Sequence, residues 1–172
     1  MAAETSPERY DDTDGYAVAV TRGETAWTVH LLDPGALGSI AKAEQELKAL
    51  RATGAVIGLL NVDDEYFVIV RPGPSGTRLL LSDATAAVFD ELAVQALDRL
   101  NVDVPDIDPE EIEDTDPWPE GDLGILGDLG LGEQELSVLL ADPDLYPDEQ
   151  LQVIAERLRF DGELGAILDS LG

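Results

Sequence analysis

Asn101 to Asp122, NVDVPDIDPEEIEDTDPWPEGD, constrains the chain more than any other stretch. Ten of its 22 side chains are acidic, four are proline, and none is Lys or Arg. Like charges this dense repel, proline holds the preceding residue extended, and no apolar period of two or 3.6 residues runs through it. The stretch reads as a solvated linker. It divides the chain into a disordered acidic tail over 1–14, an α+β domain over 15–100, an acidic Pro-rich linker over 101–121 and a small helical domain over 122–172. Two regimes are expected within it, a mobile part near 103–115 and a fixed Trp118.

Charge follows the same division. Residues 1–100 carry 16 acidic and 8 basic side chains, and residues 101–172 carry 21 and 2, so −19 of the net −27 lies in the second part. Phosphate backbones are bound by cations that neutralise them, so direct nucleic-acid binding is not expected. Anionic membrane surfaces are repelled too, whereas a basic protein partner is attracted and steered. Cysteine is absent, which removes disulfides, thiolate catalysis and zinc–sulfur sites. The N-terminal residues show no basic-then-apolar leader, and the longest apolar run is too short to span a bilayer. A cytoplasmic location is expected.

Hydrophobic residues make up 44% of the chain, enough for a core. Tyr16–Thr21 and Trp27–Leu32 are strand-like runs about a turn around Gly23, a hairpin signal. Ser39 is placed to cap a helix in which Ile40, Ala43, Leu47 and Leu50 share one face, with Gly54 as its end. Val56–Val62, Tyr66–Arg71 and Thr77–Leu81 are the next strands. A second helix is expected over Ala84–Leu100, capped by Ser82 or Asp83. The order β-β-α-β-β-β-α predicts an antiparallel five-stranded sheet covered by helices. That succession resembles roadblock, longin and profilin-like domains in element order alone. Beyond the linker, the leucine faces of Glu133–Leu140, of a helix starting at Tyr146-Pro147 and of one capped by Asp161 predict a small all-α unit.

Catalytic chemistry is sparse. His30 is the only histidine and sits in a strand, no serine lies in G-x-S-x-G, and no metal or cofactor is called for. The Asp106-x-Asp108-x-Glu110 run fails as a calcium loop, with Glu111 where glycine belongs and Pro117 where glutamate belongs. A non-enzymatic chain is expected, and recognition is what remains. Trp118, bracketed by Pro117 and Pro119, is a candidate anchor with Asp122 beside it. Tyr146, Asp148 and Glu149, at a helix start, form a second candidate group. Each has an alternative: Trp118 can seat on its own core, and the leucine faces can bury one another.

One resemblance is specific. DPWPEGDL from Asp116, Ile125-Leu126, DLGL from Asp128, DLYPDE from Asp144, IAERL from Ile154 and LLSDATAA from Leu80 resemble the bacterial tRNA adenosine deaminase-associated protein family. The resemblance implies association with the enzyme that makes wobble inosine and carries no catalytic residues with it. The deaminase itself needs H-x-E and P-C-x-x-C to hold zinc. Here His30 precedes Leu31 and Leu32, and no cysteine exists. Three functions stand open: an accessory protein acting on a protein partner, a nucleic-acid mimic filling a basic groove, and a roadblock- or longin-like scaffold.

Overall fold

A computed structural model describes residues 15–50 and 52–171; the tail expected over 1–14 lies outside them. One antiparallel sheet separates two helical layers. Its strands are β1 (Tyr16–Arg22), β2 (Trp27–Leu31), β3 (Val56–Val62), β4 (Tyr66–Arg71), β5 (Arg78–Leu81) and β6 (Glu120–Gly121), in the order β2-β1-β3-β4-β5-β6. The helices are α1 (Ile40–Ala49), α2 (Glu91–Arg99), α3 (Glu133–Leu140), α4 (Pro147–Leu158) and α5 (Asp161–Asp169).

The sheet has six strands where the sequence predicts five. The sixth comes from the end of the acidic stretch, where Gly121 pairs with Leu80 and Glu120 with Leu81. This strand is made by backbone pairing to an open edge, so it leaves no alternating side-chain pattern to read. Gly121 takes φ +114, and a Cβ there would stand 2.4 Å from the Leu79 carbonyl oxygen, so only glycine fits.

Successive strand residues face opposite sides, and both sides are buried. Ala17, Ala19, Leu60, Val68 and Leu81 join α1 and α2 in one core. Tyr16, Val18, Val20, Leu59, Phe67, Ile69 and Leu80 join Leu136, Leu151, Ile154 and Leu158 of α3 and α4 in the other. Each leucine so buried contributes about 1.5–3 kcal/mol. The C-terminal helices thus close the sheet's second face. Gly58 admits α1 to the first face, because a Cβ there would meet Leu47 at 2.7 Å.

Ser39 Oγ accepts the Lys42 N–H at 3.1 Å and caps α1. The helix stops at an extended Leu50, so Gly54 is not its end. The helix expected over 84–100 is two elements: a 3-10 turn over Ala84–Val88, capped by Asp83, and α2, capped by Asp90. Asp90 Oδ1 takes the Leu92 N–H, which starts a new helix where the i+4 leucine spacing suggests a continuous one. The fifth strand begins at Arg78, one residue later than expected. Asp161 is the first residue of α5, and the buried Phe160 occupies the cap.

Candidate interaction surface

The seven candidate residues fall in three places. Trp118 is half-buried against the core that holds α1 and α2. Its carbonyl accepts the Ala84 N–H at 2.8 Å, and its indole Nε1–H donates to Glu120 Oε2 at 3.2 Å. Pro119 beside it is half-buried, and Pro117 is exposed. The neighbouring Asp83 carboxyl is pushed up by burial, against the pull of the Thr85 hydroxyl and N–H.

Asp122 lies at the other end of β5. Its Oδ2 takes Arg78 Nε at 2.6 Å, its Oδ1 takes the Gly124 N–H at 2.9 Å, and its own N–H donates to the Leu79 carbonyl. Arg71 makes the matching clasp, a two-pronged bond to Asp128 at 2.7 and 2.8 Å with a third to the Ile125 carbonyl at 2.7 Å. Those bonds hold the Asp128 carboxyl below the usual carboxylate range. Together the two arginines fasten the segment after β6 to the sheet and bury Ile125 and Leu126.

Tyr146, Asp148 and Glu149 open α4 on the opposite face from Trp118. Glu149 Oε1 accepts the Tyr146 N–H at 2.9 Å, and acidic groups suit the positive end of a helix. The Asp148 N–H donates to Asp64 Oδ1 in the β3–β4 turn at 2.9 Å. Burial is the first cause that raises the Asp64 carboxyl, and the nearby Asp148 charge adds to it. Burial likewise raises the Tyr16 hydroxyl beneath this joint, with the Asp148 charge second.

Two exposed apolar side chains stand in this region. Val138 of α3 is 72% exposed and Tyr146 is 67% exposed, on either side of the α3–α4 loop with its exposed Asp142 and Asp144. Glu133, Glu135, Asp148 and Glu149 are exposed as well. Between Arg99 and Arg157 the chain has no Lys, Arg or His. Sequence reading of α3 followed its buried leucines and missed Val138. The signal was there, since two positions from Leu136 at 100° per residue lies off the leucine face.

Arg157 pairs with Glu135 at the edge of this region, and most other described cations are also held in ion pairs. A groove of about 790 Å³ is lined by Lys48, Arg71, Arg78 and the Pro72–Thr77 turn. Lys48 pairs with Glu44, Arg71 with Asp128 and Arg78 with Asp122. Glu44 also holds Arg99 Nη2 at 2.6 Å and bonds the Thr77 hydroxyl, which draws its carboxyl down to about 2. His30 is exposed on β2. Among the described residues no three His, Cys, Asp or Glu side chains group as metal ligands, and no helix is long and apolar enough to cross a membrane.

Residues 15–161 match the family described as Rv3753c-like tRNA adenosine deaminase-associated protein. Protein Rv3753c of Mycobacterium tuberculosis (strain ATCC 25618 / H37Rv) is 55% identical over 162 residues, covering 94% of this chain and 92% of that protein. No solved structure matches.

Proposed function

The chain belongs to the Rv3753c-like tRNA adenosine deaminase-associated protein family, and from that membership we propose that it is a non-catalytic, cytoplasmic accessory protein that binds tRNA adenosine deaminase through its acidic C-terminal half. One observation carries the reading: Val138 and Tyr146 are exposed within a stretch that has no Lys, Arg or His between Arg99 and Arg157 and in which Glu133, Asp142, Asp144, Asp148 and Glu149 are exposed, Arg157 reaching into it only to pair with Glu135. An enzyme that binds tRNA presents cations for phosphate, and such a surface attracts this one. Apolar side chains amid the charge supply the desolvated contact that interface energy requires.

This reading divides the candidate residues. Trp118, Pro119 and Asp122 serve the protein's own packing, and Tyr146 with Val138 meets the partner. Asp148 and Glu149 add charge there while fixing the start of α4.

Co-purification of the tagged chain from its native cells tests the proposal. The deaminase is expected with it, and the complex is expected to persist when labelled tRNA is added. Loss of the complex to tRNA would instead favour a mimic that occupies the tRNA groove. Recovery of no deaminase, with no complex between the purified proteins, would overturn both readings.

A further inference from the structure

We propose that β2 is a pairing edge, and that its occupant is the β2 strand of a second copy of this chain. β2 pairs with β1 on one side, and among the described residues no strand pairs with it on the other. The Leu32 N–H donates to the Ala17 carbonyl, so in the register of β1 and β2 the hydrogen-bonded pairs are Ala17–Leu32, Ala19–His30 and Thr21–Thr28. By the alternation of an antiparallel ladder, Trp27, Val29 and Leu31 turn their N–H and C=O groups outward to the open edge.

Open edges are normally blunted by charge, proline or a bulge. β2 reads WTVHL, with no Asp, Glu, Lys, Arg or Pro, in a chain where 27% of residues are charged. Leu31 is 38% exposed and Trp27 half-buried on one face of the strand. α5 packs over that same face, with half-buried Ile167 and Leu168.

The strand is complementary to itself. A two-fold axis through Val29 sets Val29 against Val29 of the second copy and Trp27 against its Leu31. Both are then hydrogen-bonded pairs, and the exposed Leu31 covers the neighbouring Trp27. With no charged side chain on β2, that register sets no like charges of the two strands against each other, which favours a second copy as occupant. β6, where the acidic stretch ends, is the opposite edge of the sheet. The remaining repulsion between two copies of charge −27 is screened over about 8 Å at physiological salt, so pairing strengthens as salt rises.

The same register places Thr28 opposite His30 of the second copy. Both side chains are exposed, and in a non-hydrogen-bonded pair facing side chains are close. Sedimentation equilibrium on the full chain tests the pairing, with vesicle- and tag-free protein at about 0.15 M and 0.5 M salt. The wild type is expected at twice its 18.4 kDa chain mass, and the T28E/H30E variant at the monomer mass, because it sets carboxylates face to face. The T28K/H30E variant, which sets opposite charges face to face, is expected to return the dimer. Hydrogen exchange of wild-type protein adds a measurement free of substitution: the Val29 amide gains protection on concentration. A wild type that stays monomeric at both salts, or a dimer that T28E/H30E leaves intact, overturns the proposal. Neither result bears on the deaminase reading, which rests on Val138, Tyr146 and the acidic residues around the α3–α4 loop.

Discussion

Asp64 Oδ1 accepts the backbone N–H of Asp148 at 2.9 Å, joining the β3–β4 turn to the first turn of α4. Asp63 and Asp64 take φ 52 and 58, the left-handed conformation of a type I′ turn, where Asn and Gly are the usual residues. An aspartate stands at 64 because its side chain is needed: it holds a free N–H of a helix start, while its own N–H is held by Asn61 Oδ1 at 3.0 Å. We expect Asp64→Asn, which tolerates the backbone and keeps an acceptor, to leave stability within about 0.5 kcal/mol. Asp64→Ala keeps the strain and loses the bond, and is expected to cost about 1–2 kcal/mol. Urea unfolding of the two variants checks the difference.

Glu44 predicts an acid limb in the stability profile. Its folded carboxyl lies near 2 because of the Arg99 hydrogen bond first and the Thr77 hydroxyl second, below the 4.5 of the free group. A depressed acid stabilises the fold above the unfolded value and loses that contribution as pH falls toward the folded one. Wild-type stability is therefore expected to drop between about pH 4.5 and 2. Glu44→Gln flattens the profile within that window and leaves its slope above pH 6 unchanged. Chemical denaturation across the pH range reads both.

Arg71 makes its two-pronged bond to Asp128 and a third bond to the Ile125 carbonyl. Lysine keeps the charge and lacks the fork. Arg71→Lys is expected to cost about 1–2 kcal/mol and to speed amide exchange at Ile125 to Leu131 more than in β3. Equal exchange rates in the two segments would mean that the clasp does not hold the loop.

Trp118 is half-buried against the α1 and α2 core. Trp118→Ala is expected to cost about 2 kcal/mol, below the range for a fully buried ring, and to leave partner affinity within about twofold. A thermal melt beside a binding titration separates the two effects.

Much of the layout is readable before folding. The i, i+3, i+7 spacing of Ile40, Ala43 and Leu47 and the Ser39 cap place α1, and Pro147 at the first helical position places α4. Three things are not readable. β6 consists of Glu120 and Gly121, residues with no strand preference, and exists only because β5 offers an edge. The break at Phe89–Asp90 hides under regular leucine spacing, since Asp90 acts through a local hydrogen bond that periodicity does not register. The separation of Trp118 from Tyr146 depends on which face of the sheet each segment covers, and a list of residues contains no faces. Within the proposed interaction surface, Tyr146 stands out by its chemistry. Val138 stands out only by its angle on α3.

The central claim concerns the acidic C-terminal half and its partner, and a binding titration with purified tRNA adenosine deaminase tests it most directly. The wild-type chain is expected to bind, with affinity falling as salt rises, and V138S/Y146A to bind at least tenfold more weakly while melting like the wild type. No binding at low salt, or an unchanged affinity in V138S/Y146A, would contradict the account.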